Sequence, residues 1–368
     1  MMKKKKVTLK DIARKAGVST TTVSMVLNGN RSFPEETCQK IIDTANELKY
    51  EKSKTSSFLA GTGSEKVLAV VVPTLKNPCF VQTIQAMQRQ AKKTGYTLMI
   101  FDTSRGRTQE ACVIRICNTY PFSGVILCYP PENNTELRQL EESKPVFHIY
   151  DKGVYHSESY LALDGVRLGD IVARHLISLG HERIAFLCLD FEPKQVTRSR
   201  RLEGLRAVYK ENGFDPDEAI VLCTPKTYLN RKTSDLDGYE LGYELTKAII
   251  EKNEPVTALA CLNDMLAIGA IDALIDAGKS VPEDYSVCGC DNNYLSKFKR
   301  ISLTTVETFN TQSGKFAIDF ITRRIENNDI FSGDEDVDHP DSVIQLEYIP
   351  KLIVRSTTGV AKKRNHTT

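Results

Sequence analysis

The stretch Val7-Thr-Leu-Lys-Asp-Ile-Ala-Arg-Lys-Ala-Gly-Val-Ser-Thr-Thr-Thr-Val-Ser-Met-Val-Leu-Asn28 decides the architecture at the front of this chain. Thr8 precedes Leu9, Ile12, Ala13 and Ala16, whose i, i+3, i+4, i+7 spacing puts four apolar residues on one side of a short helix. Asp11, three residues after Thr8, can reach back as in a capping box, and Gly17 suits the left-handed residue that stops a helix. Ser19 can cap a second helix, with Val18 and Val23 as a hydrophobic staple and Val23, Val26 and Leu27 on the inner face. Asn28-Gly29 ends it. Two short helices joined by a tight glycine turn make a helix-turn-helix.

The outer face of the second helix carries Thr20, Thr21 and Ser24, with Met25 at its edge. Small hydroxyl side chains add little to packing but can hydrogen-bond phosphates and base edges. The second helix of such a motif enters the major groove by its N-terminal end, so Thr20 and Thr21 are expected at bases and Ser19 and Thr22 at phosphates. Thr8 and Asn28, the two ends of the motif, complete the expected contact set. Exposed Ser and Thr taken alone are better explained by solvation, so the flanking pattern and the charge must carry the argument. Residues 1–60 hold 12 Lys/Arg against 6 Asp/Glu, a charge of +6, which leaves −4 of the overall +2 for the rest. A basic head on a mildly acidic body suits phosphate neutralisation, although a solvated tail would account for Lys3 to Lys6. A third helix after Pro34 is expected to turn Cys38, Ile41, Ile42, Ala45 and Leu48 inward.

From Val7 to Asn28, and again at Glu47-Leu-Lys-Tyr50, the head resembles that of the LacI/GalR family. The resemblance implies a hinge helix after Tyr50 that orders on operator DNA and wedges a leucine, here Leu59, into the minor groove. This sequence departs from the family there: Lys52-Ser53 and Ser56-Ser57 replace the usual Pro-Asn and Ala-Arg pairs. Glu51 to Ala60 is rich in Ser, Thr and Lys, so any helix must be ordered by DNA and dimer contacts. A plain linker running through Gly61-Thr-Gly63-Ser64 is the alternative.

From Val67 onward, short apolar runs alternate with amphipathic helices, which predicts a doubly wound parallel α/β fold. The runs are 67–72, 97–101, 125–128, 146–149, 184–189, 219–222, 259–262 and 286–288, with helices such as Phe80 to Lys93 and Leu168 to Leu179 between them. So many units exceed one compact sheet and imply two subdomains with a cleft. The family resemblance continues through Val72-Pro73, Asn77-Pro78, His175-Leu-Ile-Ser-Leu-Gly-His181, Arg201-Leu-Glu-Gly204, Asn263-Asp-Met-Leu-Ala-Ile-Gly269, Val281-Pro-Glu-Asp284 and Leu303-Thr-Thr-Val306. It implies an all-α helix-turn-helix headpiece at 1–50, a hinge at 51–65 and a body of the type I periplasmic-binding-protein fold at 66–358. The first subdomain is then expected at about 66–163 and 292–330, the second at about 164–291 and 341–358, and a flexible tail at 359–368.

Ligands of open α/β sheets bind at strand C-termini. The resemblance implies Phe80 as an apolar wall, Arg201 as a multi-donor fork, Asn263 and Asp291 as further hydrogen-bonding groups, and Asp151 and Thr197 as additional contacts. Cys79 stands where the family commonly has an aromatic residue. Each of these also has a bland reading, Asp291 as a loop cap, Arg201 as a surface ion pair and Phe80 as core.

Other chemistries find no support. There is no phosphate loop, no dinucleotide fingerprint, no nucleophile elbow and no zinc-protease helix motif. The six histidines show no ligand spacing, Cys288-Gly-Cys290 reads as packing rather than metal ligation, and no catalytic or metal site is expected. Ten cysteines in apolar surroundings, without a loop-bound framework, read as reduced buried thiols. No apolar export or anchor segment is visible, so a cytoplasmic protein with no membrane partner and no cofactor is expected. The sequence is thus that of a DNA-binding transcriptional regulator, a repressor, binding a pseudo-palindromic operator as a homodimer under control of a small metabolite, a sugar or sugar derivative. The alternative is a cytosolic carbohydrate-binding protein without specific DNA binding, and a palindrome-binding assay separates the two. An enzyme on a doubly wound sheet is a third reading, without a motif to support it.

Overall fold

A computed structural model describes residues 7–27, 32–48, 50, 66–131, 134–151, 159–190, 196–229, 238–326 and 344–362. The chain divides after Glu65 into two compact units.

The head contains α1 (Leu9–Ala16), α2 (Thr20–Leu27) and α3 (Glu35–Glu47). The Asp11 carboxylate accepts from the Thr8 backbone N–H at 2.9 Å and from its hydroxyl at 2.7 Å, fixing the entry to α1. Gly17 ends that helix at φ 73°, donating to the Ala13 carbonyl at 2.9 Å. Ser19 caps α2, its Oγ accepting from the Thr22 N–H at 3.0 Å. Ile12, Ala13, Ala16, Val23, Val26, Cys38, Ile41 and Ala45 close one apolar core, and Lys15 pairs with Glu47 across α1 and α3. Ile42, expected inside, is 40% exposed: it lies one residue past Ile41, about 100° around the helix and off the buried stripe.

The body has two lobes. In the first, a parallel six-stranded sheet runs β11-β5-β4-β3-β1-β2, made of β1 (Val67–Val72), β2 (Thr97–Asp102), β3 (Gly124–Leu127), β4 (Val146–Asp151), β5 (Tyr160–Leu163) and β11 (Gln345–Tyr348). All six residues of Val67–Val72 are buried, as a parallel strand covered on both faces requires. Helices α4 (Pro78–Thr94), α5 (Arg107–Thr119), α6 (Asn134–Ser143) and α12 (Asn310–Ile325) accompany this sheet, with Met87, Phe147, Ile318 and Phe320 in its core. The Phe147 and Phe320 ring centroids are 4.6 Å apart.

The second lobe has a parallel sheet ordered β7-β6-β8-β9, made of β6 (Ile184–Leu187), β7 (Ile220–Cys223), β8 (Ala258–Cys261) and β9 (Ser286–Cys288). Its helices are α7 (Gly165–Ser178), α8 (Val196–Glu211), the short α9 (Pro216–Ala219), α10 (Gly238–Glu251) and α11 (Asp264–Asp276). The antiparallel pair β10 (Thr305–Glu307) and β12 (Lys351–Ile353) lies along the return between lobes.

Three sequence expectations change here. Leu295, Ile301 and Leu303 pack in the second lobe's core, so the exit from that lobe lies near β10 rather than at Asp291. The return into the second lobe was expected at about 341, yet β11 pairs in parallel with β5 of the first sheet, so the crossing follows Tyr348. Residues 359–362 are not a loose tail: the Gly359 carbonyl accepts from Ser286, Ala361 donates to the Leu179 carbonyl at 2.8 Å and Lys362 pairs with Asp284. Of the ten free cysteines nine are buried and Cys112, read as buried, is exposed. Among the described residues no group of histidine, cysteine or acidic side chains could hold a metal, and no helix is long and apolar enough to cross a membrane.

Candidate nucleic-acid interface and ligand cleft

On α2, Thr20, Thr21 and Met25 are exposed and Ser24 is half-buried at the rim. Ser19 and Thr22 are already engaged with each other, their hydroxyl oxygens 2.8 Å apart. Their first role is thus to hold the N-terminus of α2 in shape, while Thr20 and Thr21 extend from its first turn. Partial positive charge at that terminus favours a phosphate. Asn28 and Leu59 lie outside the described residues.

In the body, the strand ends of both lobes feed one cleft. Asn77 caps α4, its Oδ1 accepting from the Cys79 N–H at 3.0 Å, while its Nδ2 donates to Asp291 of the other lobe at 3.3 Å. Asp291 is 7% exposed and sits at φ 128°, followed by Asn292 at φ 46°. Two consecutive non-glycine residues at positive φ are costly and persist only where surroundings hold them. Here the Asp291 N–H donates to Val306 at 3.0 Å, and Asn310 Nδ2 donates to the Asp291 carbonyl at 3.0 Å. Burial pushes the Asp291 carboxyl up from the ordinary carboxylate range, while Arg201, Asn77, Cys79 and Arg105 pull the other way. Burial likewise pushes up the Cys79 thiol.

Arg201, on α8, donates to the Leu262 carbonyl at the end of β8. Its positive charge also lowers the Asp291 carboxyl against the effect of burial. The neighbouring Arg200 pairs instead with Asp164 at 3.3 Å, the cap of α7. Asn263 is half-buried, and its Oδ1 caps α11 by accepting from the Leu266 N–H at 2.9 Å. Its amide nitrogen, which makes no hydrogen bond among the described residues, is the group left to serve a bound molecule as donor. Phe80 packs partly against the first lobe's core, as its reading as core anticipated. Asp151 ends β4 and Thr197 lies in the first turn of α8, but their side chains are outside what is described.

Two groups escaped the sequence reading. Asp264, fully buried, accepts from Thr305 Oγ1 at 2.5 Å and from the Asn293 N–H at 2.8 Å. Burial and the charge of Asp291 push its carboxyl well above the ordinary range, against the pull of Thr305, Asn293 and Arg355. Arg355 binds Asn292 at 2.6 Å and the Leu303 carbonyl at 2.6 Å, so one polar network braces the return between the lobes. The second is Arg105, exposed in the turn after β2, where its N–H donates to the Pro73 carbonyl at 2.8 Å. Only the neighbouring Asn263, read as a site residue, could have drawn attention to Asp264; nothing local marks Arg105.

Comparison with known proteins agrees with both halves of this architecture. Residues 8–53 match the family described as bacterial regulatory proteins, lacI family, and residues 173–358 match the periplasmic binding protein-like domain. The HTH-type transcriptional repressor PurR of Mannheimia succiniciproducens is 30% identical over 344 residues, covering 92% of this chain and 97% of that one. Among solved structures, a LacI family transcriptional regulator from Silicibacter pomeroyi superimposes with a TM-score of 0.70 at 24% identity, covering 96% of this chain and 99% of that chain. The lac repressor dimer bound to operator and the anti-inducer ONPF gives 0.65 at 22% identity, covering 96% and 100% respectively.

Proposed function

Because this chain belongs to the lacI family of bacterial regulatory proteins, a family of transcriptional regulators, we propose that it is a repressor whose operator grip is set by a small molecule in the body's cleft. The observation that carries the reading is one chain joining a capped helix-turn-helix to a cleft where Asn77 and Arg201, from opposite lobes, converge on Asp291. A ligand that replaces the Asn77 to Asp291 contact with its own hydrogen bonds changes the balance between lobe arrangements. It regulates only by binding those arrangements unequally.

The proposed DNA contacts are Thr8, Ser19, Thr20, Thr21, Thr22, Ser24, Met25, Asn28 and Leu59, with Thr20 and Thr21 reading bases. The proposed ligand contacts are Phe80, Asp151, Thr197, Arg201, Asn263 and Asp291, for a sugar or sugar derivative. The operator is pseudo-palindromic and the protein a homodimer, so that two heads meet two half-sites. Exposed apolar side chains on the second lobe support the dimer: Ile275 is 58% and Phe298 52% exposed, and Phe298 lies edge-on to Tyr294. Such side chains favour burial against a partner.

The test is a salt series of purified full-length protein on a palindrome upstream of its own gene, with and without candidate sugars and nucleobases. Sequence-specific binding that one ligand class shifts is expected. Equal affinity for palindrome and scrambled DNA in every ligand state overturns the repressor reading.

A further inference from the structure

We propose that Asp264 is the positioning residue of the cleft: from behind, it holds the strained Asp291-Asn292 pair in the conformation that delivers the Asp291 carboxylate to Asn77 of the opposite lobe and to a bound ligand. The ligand half of this role rests on the proposed contact of Asp291 with an effector; the Asn77 half stands on hydrogen bonds alone.

Asp264 is the first residue of α11 and is fully buried. Its N–H donates to the Cys290 carbonyl at 2.8 Å, and its Oδ2 accepts from the Asn293 N–H at 2.8 Å. Cys290 and Asn293 stand on either side of the strained pair, so one residue grips the chain before and after it. Between them, Thr305 Oγ1 accepts from the Asn292 N–H at 3.3 Å and donates its one hydrogen to Asp264 Oδ1 at 2.5 Å. Asparagine enters the left-handed region readily, so φ 46° at Asn292 is easily borne. The φ of 128° at Asp291 lies beyond that region and has to be held by its surroundings.

The space around the carboxylate is fitted to it. A Cβ at Gly289 would stand 2.4 Å from Asp264 Oδ1 and 3.2 Å from the Asp264 Cα. The backbone of Gly289 is not left-handed, so glycine is needed there for room rather than for conformation. The Asp291 peptide has no slack either: its N–H donates to the Val306 carbonyl at 3.0 Å, and its own carbonyl accepts from Asn310 Nδ2 at 3.0 Å and Thr308 Oγ1 at 3.3 Å. With the backbone pinned, the side chain is the part that reaches across, and its Oδ2 accepts from Asn77 Nδ2 at 3.3 Å. Removing the Asp264 carboxylate leaves the buried Asn293 N–H without its acceptor and frees the chain after the strained pair. The pair then relaxes toward ordinary φ, and the Asp291 carboxylate leaves Asn77. Asparagine at 264 keeps most of the grip, because its Oδ1 can accept from Asn293 while its Nδ2 donates to Thr305 Oγ1.

The experiment follows the Asn77 side-chain amide resonance in full-length protein labelled with nitrogen-15 asparagine, assigned by its loss in Asn77→Ala. D264A should move it to the position it takes in Asp291→Ala, where the bond is gone, and D264N should hold it near that of the unaltered chain. Thr305→Val removes one hydroxyl without changing shape and should move it part of the way, so the outcome does not hang on the alanine variant. Leu274→Ala, which empties the core beneath the same helix, should lower melting and leave the resonance in place. Calorimetry with ribose, glucose, cellobiose and hypoxanthine is the second arm: any of these that binds the unaltered chain should bind D264A about tenfold to a hundredfold more weakly, and D264N within about threefold. A resonance that D264A leaves in place, or that Leu274→Ala moves as far, overturns the positioning role. A resonance that moves in D264A while probe affinity stays unchanged supports the Asn77 half and overturns the ligand role of Asp291.

Discussion

Replacing Gly204 by alanine tests how the fold positions the cleft. Helices α7 and α8 cross with almost no side chain between them: a Cβ at Gly204 would stand 2.0 Å from the Val166 carbonyl oxygen, and one at Gly169 would stand 2.1 Å from that of Arg201. Ordinary contact begins near 3.4 Å, so Gly204→Ala must separate the helices by about 1.4 Å, against backbone that cannot rotate away. Overpacking of this kind costs up to roughly 3 kcal/mol, offset by about 1 kcal/mol of better helix propensity, for a net loss of about 2 kcal/mol. At about 2–4 °C per kcal/mol for a body this large, melting should fall by about 4–8 °C. Arg201 lies one turn before Gly204, and a displaced α8 carries its fork away from the Leu262 carbonyl. Ligand response should weaken about tenfold, while ligand-free operator affinity, which depends on the head, stays within about threefold. Thermal unfolding and fluorescence anisotropy on labelled operator read both. Melting within 1 °C of the unaltered chain would refute the close crossing, and an undiminished response at lowered melting would refute its link to Arg201.

Thr21→Ala should cost about 1–3 kcal/mol at one operator position with an unchanged salt slope, measured by binding to single-base operator variants. Ile12→Ala empties the centre of the head and should destabilise it by about 2–5 kcal/mol, seen as early loss of amide protection in residues 9–47 with the body unaffected. Arg201→Ala should abolish ligand response while leaving operator affinity within a few-fold; lost DNA binding with intact ligand binding would contradict its assignment. Asp264 and Asp291 have native pKa values raised above those of the unfolded chain, so the native state holds more protons above roughly pH 4. Stability therefore falls as pH rises from there toward neutrality, and Asp264→Asn should flatten that slope in urea unfolding between pH 5 and 8.

The head was legible because its determinants are local: Thr8 with Asp11, Gly17, and Ser19 with Thr22 each act within four residues. The strands with uninterrupted apolar runs were equally plain, since a covered parallel sheet demands them. The return between lobes was not. Strands β10, β11 and β12 have three or four residues and mixed burial, so periodicity has nothing to act on. Arg201 and Asp291 could be reached through motif context, but what they do follows from Asn77 and Leu262, distant in sequence. Asp264 looks like an ordinary helix-start residue, and only the packing of Asn293 and Thr305 over it makes it a buried acid.

The central claim is that one chain reads an operator and lets the cleft decide whether it holds on. The direct measurement is affinity of full-length protein for the palindrome and for a scrambled duplex, across a salt series, with saturating ligand and without. The account predicts a palindrome preference of about a thousandfold or more, with a ligand shift of about 5- to 150-fold that disappears in Arg201→Ala. Equal binding to both duplexes, or a ligand shift that survives Arg201→Ala unchanged, would contradict it.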